Sequence, residues 1–337
     1  MECSPEGVRR PLKRPFSLGL VLCLFAGLVM AEPYTEREEV QAFIDEMHEE
    51  HGLDRGELEQ ALAGVEKRQS VIDAISDPAE DREWHEYRPI FLTEERIDQG
   101  VAFWKEHEDI IRRASQEFGV DPEILVAIIG IETYYGNRQG SDPVLDSLVT
   151  LAFDYPPRGD FFRNELGQLF LLADEEELDI DTLQGSYAGA MGVGQFIPSS
   201  YREYAVDFSG SGQRDLFGDW KDAIGSVAHY FQVHGWEKGE LVAVPAVLSE
   251  HADNAPGADG LDRYSAGELR ERGLVFSEGI PDERELMPVR LAQEDGEDWW
   301  VGLENFYVIT RYNRSPLYAM AAWELAREIA LEWEGRH

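Results

Sequence analysis

The stretch LVAIIGIETYYGN, Leu125 to Asn137, sets one carboxylic acid, Glu132, in an otherwise apolar run. At about 100° per residue Glu132 shares a helical stripe with Leu125, Ile128 and Tyr135, so its carboxyl points into protein or a cleft. Asp121 followed by Pro122 predicts an N-cap with proline at the first helical position, and Gly136 predicts the C-terminal stop. Burial and the negative end of the helix dipole both disfavour the charged form, which suits a group that holds a proton and gives it away. On this helix alone two readings stay open: a structural glutamate paired with arginine or backbone, and a general acid.

The surroundings are mostly helical. Apolar residues recur three and four apart in VQAFIDEMHEEHGL (40–53), LEQALAGVEKRQSVIDAI (58–75) and IDQGVAFWKEHEDIIRRAS (97–115), interrupted by Pro78 and by YRPIF (87–91). Downstream, helices are predicted in RNELGQLFLLADEEEL (163–178), around SSYREYAV (199–206) and in DAIGSVAHYFQVHGW (222–236), with the acidic run 174–179 as a solvated helix end. After Trp236 the composition changes: LVAVPAVL (241–248), MPVRLAQ (287–293) and WWVGLENFYVIT (299–310) carry the valine and aromatic content of strands. LYAMAAWELAREIALEW (317–333) closes the chain as a helix. The expected fold is α+β, mainly α-helical, with a small β-rich insertion between helices of one core. The expected division is 1–31 signal peptide, 32–115 N-terminal helical domain, 116–236 catalytic core, 237–308 small β-rich domain and 309–337 a C-terminal helix completing the core.

The first 31 residues have the form of an export signal. Arg9, Arg10, Lys13 and Arg14 precede an apolar stretch from Phe16 to Met30, and Val29 and Ala31 are small residues before a cut. At roughly 15 residues the stretch is short for a bilayer span, which needs about 20; the alternative is an uncleaved anchor. Lipoprotein processing suits it less, because bulky Leu22 precedes Cys23. Both cysteines, Cys3 and Cys23, fall here, so the mature chain lacks thiols, and thiol catalysis and cysteine zinc sites are excluded. With 67 Asp and Glu against 30 Lys and Arg, the net charge of −37 excludes a general nucleic-acid binder. That excess repels itself in dilute salt and is screened near 1 M, where the Debye length is about 3 Å, which predicts a high-salt habitat.

A second motif bears on Glu132. In GSYAGAMGVGQFIPSSY (185–201) small residues permit close backbone approach, while Ser186 and Gln195 supply polar groups able to reach a ligand; a tight packing turn is the alternative. Together the blocks RPIFLTEERIDQGVAFW, VAIIGIETYYGN, GSYAGAMGVGQFIPSSYREYAVDFSGSG, DAIGSVAHYFQVHGW and ITRYNRSPLYAMA resemble, in order and over nearly all of the mature chain, the lytic murein transglycosylases of the membrane-bound B type. That family has a lysozyme-like core.

The resemblance implies cleavage of the β-1,4 bond between N-acetylmuramic acid and N-acetylglucosamine in peptidoglycan without water, leaving a 1,6-anhydro end. It implies Glu132 as the single catalytic acid/base, Ser186 and Asn313 as groups orienting it, and Gln195, Tyr87, Tyr230, Tyr312, Tyr318 and Arg158 as substrate contacts. Pro157 stands where the family often has a second basic residue, which puts peptide contact in question. Ordinary glycosidases use two carboxylates about 5 to 9.5 Å apart; here the substrate's own C6 hydroxyl is the nucleophile, and Asp142 and Asp146, in an expected loop after Gly140, are expected to be structural.

In DFSGSGQRDLFGDWKD (207–222), Asp207, Ser209, Ser211, Gln213 and Asp222 correspond to a family calcium loop of EF-hand type. Ser211 replaces the expected Asp and Gly218 the twelfth-position Glu, so bound calcium and a plain turn both remain open. His48/His51 and His229/His234 lack metal-site spacing. No cofactor is expected for catalysis, calcium being structural at most. The implied partners are peptidoglycan glycan strands, engaged by a periplasmic monomer, with other wall enzymes and attachment to membrane or wall left open. A lysozyme-type hydrolase using water and a non-catalytic murein-binding scaffold are the alternatives.

Overall fold

The structure, a computed structural model, describes residues 32–76, 82–249, 257–258 and 260–335. The expected signal segment, both cysteines and Pro78 lie outside the described residues. The amphipathic N-terminal stretches form α1 (Glu38–His51), α2 (Arg55–Ala63), α3 (Gln69–Ile75), α4 (Trp84–Phe91), α5 (Glu94–Glu106) and α6 (Glu108–Phe118). Two expected helices are each divided. Between α2 and α3 the Arg68 amide leaves the helical ladder for Thr150 Oγ1 at 3.0 Å, and its Nε donates to Asp146 at 2.8 Å. Between α5 and α6, His107 takes φ −110° and ψ 21°. Its ring packs against Phe103 and Trp220, with centroids 4.6 and 4.8 Å away, a tertiary preference that outweighs helical continuity. Pro89 does not interrupt the pattern as expected: it lies inside α4, which ends two residues later, so one backbone bond is forgone.

The central helices are α7 (Pro122–Thr133), α8 (Val144–Asp154), α9 (Gly159–Glu176), α10 (Pro198–Tyr204) and α11 (Trp220–Val233). Every residue of α7 from Ile124 to Ile131 is buried, which is why its sequence shows no polar face. Two short strands, β1 (Asp142–Pro143) and β2 (Gln184–Gly185), pair antiparallel beside its C-terminal end.

The valine-rich segments form β3 (Ala243–Leu248), β4 (Tyr264–Ser265), β5 (Leu274–Val275), β6 (Glu285–Ala292) and β7 (Glu297–Gly302), an antiparallel sheet of order β4-β6-β7-β3-β5. A short helix, α12 (Ala266–Glu271), starts on a Ser265–Glu268 capping box and closes a separate small core under the sheet. The expected strand 299–310 is only half a strand: after Gly302 the chain enters α13 (Glu304–Tyr312). A Cβ on Gly302 would stand 2.5 Å from the Phe306 ring, so glycine lets that ring fold back as the helix begins. The last helix, α14 (Pro316–Gly335), packs on α4, α5, α7 and α13 and shares their core. No helix among the described residues is long and apolar enough to cross a membrane.

Candidate active site

Glu132 is the one residue from Ile124 to Thr133 that is not buried. The helix stops sooner than expected, at Thr133, with Tyr134, Tyr135 and Gly136 all at left-handed φ (52°, 58° and 82°). Two consecutive non-glycine residues in this region need strong support. Tyr135 finds it through a hydroxyl bond to Arg96 O at 2.8 Å, and the Tyr134 ring carries the Arg96 and Arg138 guanidinium groups 4.8 and 5.0 Å from its centroid. At the other end, Asp121 is the N-cap position but its side chain makes no cap bond; its Oδ2 accepts from Trp236 Nε1 and the Gly239 amide instead.

Tyr318, in the first turn of α14 and 3% exposed, donates its hydroxyl to Glu132 Oε1 at 2.5 Å. Burial, then the Glu132 charge, hold this phenol well above its ordinary pKa, so it stays a donor. Tyr312 is raised well above its usual value for the same two reasons and donates to Gly194 O at 2.5 Å. Tyr230 lies edge-on to Tyr312, 4.8 Å between centroids, with its hydroxyl on Arg311 O; burial raises it too. Tyr87 is 1% exposed, packed between Trp84 and Phe91 and near enough to Tyr318 to raise that hydroxyl further. Expected as a groove-lining ring, it presents no face to a ligand in this arrangement.

The glycine-rich segment reaches Glu132 through a residue the sequence reading missed. Thr133, fully buried, donates from Oγ1 to Val193 O at 2.9 Å and accepts the Gly136 amide at 3.0 Å. Nothing in a lone threonine before two tyrosines signals a partner sixty residues away. Gly192, at φ +69°, brings its backbone against Leu216, whose carbonyl oxygen would lie 2.5 Å from a Cβ there. Ser186 Oγ accepts the amides of Ala188 and Ala190 at 3.3 and 3.1 Å. Gln195, also left-handed at φ 50°, spends Nε2 on the carbonyls of Gln139 and Gly192, at 3.0 and 2.9 Å, which leaves Oε1 for a ligand.

A cavity of about 410 Å³ gathers Arg158, Gln195, Tyr230, Tyr312 and Asn313. Its wall also includes Phe161 and Arg311, which the sequence reading did not single out. The Arg158 guanidinium lies 4.4 Å from the Phe161 ring centroid. Glu132, Ser186, Tyr87 and Tyr318 stand outside this wall; Tyr312 links it to Glu132.

Of the nearby acids, Asp146 is in the first turn of α8, ion-paired to Arg68 at 2.7 Å, and Asp142 is in β1; neither lies in the expected loop. The acidic end of α9 is not simply solvated. Glu175 and Glu176 clamp Arg202 and Arg214, and Glu176 Oε2 also accepts the Arg214 amide at 2.9 Å. Beyond it, Asp207 accepts the amides of Gly210, Ser211 and Gly212 and the hydroxyl of Ser209, and these donors, the Gly212 amide first, hold its carboxyl below the usual range. Buried Asp222 takes the amides of Ser209 and Asp215 at 2.7 and 3.0 Å, while Ser211 Oγ donates to Gln213 O at 3.0 Å. His229 and His234 each place Nδ1 2.8 Å from a backbone carbonyl, as packing histidines do.

A family profile for the transglycosylase SLT domain matches residues 35–327. The chain is 42% identical over 314 residues to membrane-bound lytic murein transglycosylase B of Escherichia coli K12, covering 90% of this chain and 85% of that protein. The crystal structure of the catenated lytic transglycosylase SltB1 from Pseudomonas aeruginosa superposes with a TM-score of 0.84 at 48% identity, over 89% of this chain and 99% of that one. That of E. coli lytic transglycosylase Slt35 in complex with calcium gives 0.81 at 42% identity, over 90% and 100%. The chain belongs to the transglycosylase SLT domain family, among its lytic murein transglycosylases.

Proposed function

We propose that this enzyme cleaves the MurNAc-β-1,4-GlcNAc bond of peptidoglycan with Glu132 as its only acid/base, forming 1,6-anhydro-MurNAc ends. The supporting observation is the 2.5 Å bond from the Tyr318 hydroxyl to Glu132 Oε1, at the one position from Ile124 to Thr133 that is not buried. Tyr318 fixes the carboxyl's orientation and is too weak an acid to compete for the reaction's proton. Glu132 protonates the glycosidic oxygen as the C1–O bond breaks. The resulting carboxylate takes the proton of the muramyl C6 hydroxyl while that oxygen bonds to C1. No water is consumed, and Glu132 ends as it began, protonated.

Among the described residues lining the cavity there is no carboxylic acid, which suits a reaction whose nucleophile comes from the substrate. Gln195 Oε1, the Tyr312 and Tyr230 rings and Arg158 contact the glycan in this reading, Ser186 and Asn313 orient the acid, and Tyr87 supports Tyr318 from within the core. Residues 116–236 with 309–337 act as the catalytic core, flanked by 32–115 and 237–308. The basic and apolar N-terminal segment supports export to the periplasm, where the enzyme would act on glycan strands.

Calcium is the ion of the E. coli relative's crystal. Here Asp207, Ser209, Ser211, Asp222 and the Gln213 carbonyl would hold it. The two carboxylates already organise the loop through amide bonds, so the fit is to a structural ion of low affinity.

The deciding experiment is Glu132→Gln on purified wall. The variant melts like the parent and loses about 10²- to 10⁴-fold in release of anhydromuropeptides. Retained turnover would refute the assignment, and products heavier by one water would identify a hydrolase.

A further inference from the structure

The carboxylate of Asp154, the last residue of α8, is held at three points by the N-terminal part of the chain. Its Oδ2 accepts the hydroxyl of Tyr34 at 2.5 Å, and its Oδ1 faces Arg37 and Lys67, each at 3.3 Å. Burial alone would raise this carboxyl's pKa; the Tyr34 hydroxyl, then Arg37 and Lys67, outweigh it and keep the group below its usual range. Tyr34 is 5% exposed, with its ring 4.2 Å from the Arg37 guanidinium and 6.4 Å from the Phe153 ring, so the donors are packed as closely as the acceptor. Asp146 and Thr150 share this stripe of α8 at four-residue spacing, and they accept from the Arg68 guanidinium and amide at 2.8 and 3.0 Å. Residues 34–37 and 67–68 thus dock along one face of α8, with the charged cluster at its C-terminal end.

A short, stiff path leads from Asp154 to the groove. Tyr155 leaves the helix at φ −126° and ψ 78°. Pro156 and Pro157, whose rings fix φ, then begin one tight helical turn that ends at Arg158, where the amide bonds to Tyr155 O at 3.3 Å. Arg158 lines the cavity together with Phe161 and Phe162, its guanidinium 4.4 and 5.1 Å from their ring centroids. It makes no ion pair among the described residues, so its charge is placed by those two rings and by the backbone path from Asp154.

We propose that Asp154 is a positioning residue for this active site: held by Tyr34, Arg37 and Lys67, it fixes the Pro156–Pro157 turn so that Arg158 meets the substrate. The inference rests on Arg158 being the substrate contact proposed above and adds what places it. Residues 34–37 are then part of the scaffold of the groove, although they touch none of its wall.

The test combines steady-state release of anhydromuropeptides from soluble glycan strands with hydrogen exchange in the native proteins. Asp154→Ala raises KM about tenfold and leaves kcat within about twofold, because a contact displaced by a fraction of an ångström weakens while Glu132 and Tyr318 keep their geometry. In an Arg158→Ala background the same substitution changes KM by less than about twofold, since the path it steadies no longer carries a contact. Peptides spanning 155–162 exchange about tenfold faster in Asp154→Ala, while those of α7 and β6 keep the parent's rates. Tyr34→Phe keeps the packed ring, removes one donor and gives the same pattern at smaller size, which decides the matter if Asp154→Ala does not fold. Equal losses in both backgrounds, or an equal rise in exchange across α7 and β6, would reduce Asp154 to a contributor to general stability and overturn the proposal. Unchanged exchange at 155–162 would overturn it as well. A silent Arg158→Ala would sink the reading of Arg158 as a substrate contact, and exchange at 155–162 would still decide whether Asp154 holds the turn.

Discussion

Replacing Thr133 by valine removes one oxygen at nearly constant volume and tests how Glu132 is placed. The hydroxyl is wholly buried; it donates to Val193 O at 2.9 Å and accepts the Gly136 amide at 3.0 Å. Valine leaves both backbone groups without that partner, the Val193 carbonyl buried and the Gly136 amide part-buried. A stranded buried group costs about 1–3 kcal/mol and the part-buried amide less, so the two together imply a loss of about 1–4 kcal/mol. Thr133→Ser keeps the hydroxyl and gives up one methyl, about 0.8 kcal/mol. Urea midpoints should therefore order as parent, then serine close behind, then valine well below. Because Val193 leads directly to Gly194 and Gln195, valine also loosens the segment proposed to contact the glycan against the acid. Its remaining folded fraction should release anhydromuropeptides at least tenfold more slowly than the serine variant. If valine matches serine in both stability and turnover, the hydroxyl does not tie these elements together and the account of the helix end is wrong.

Tyr318→Phe keeps the ring in place and removes the donor to Glu132 Oε1, so kcat should fall about 10- to 100-fold with a stability change of about 1 kcal/mol; unchanged kcat would free Tyr318 of its orienting role. Burial lowers the pKa of His107, with Glu106 opposing. The unfolded chain then binds a proton at about pH 6.5 that the folded chain refuses, so this stability is complete above that pH and drains away as pH falls below it. His107→Phe should flatten the decline in urea midpoint between about pH 7.5 and 5.5, and parallel slopes for the two proteins would contradict it; His234, lowered chiefly by burial, supplies part of what remains. At about tenfold above a dissociation constant in the 10⁻⁴ to 10⁻³ M range, calcium should add roughly 1.4 kcal/mol to the chelator-treated protein without altering kcat, and a melting midpoint indifferent to millimolar calcium would leave the loop a plain turn.

What was legible in the sequence is what local chemistry writes there. An apolar helical run from Ile124 to Ile131 followed by one acid, valine-rich runs after Trp236, and glycines spaced for close backbone approach all survive as elements of the structure. The misread boundaries share one cause. Arg68 leaves its helix for Thr150, His107 for Phe103 and Trp220, and the chain folds back at Gly302 under Phe306; each is decided by a partner that periodicity does not see. The site obeys the same division. That Glu132 lies on a buried stripe follows from 100° per residue, whereas its partner Tyr318 stands 186 positions away and its neighbour's anchor, Val193, sixty. An acid/base group needs both kinds of information: the helix sets how much of it is buried, and distant hydroxyls set its direction. Of the tyrosines, only their joint placement separates Tyr312, on the cavity wall with its hydroxyl on Gly194, from Tyr87, sealed in the core behind Tyr318. Composition assigns both the same apolar ring and polar tip, and only their places in the fold tell a ring on the cavity wall from one packed behind it.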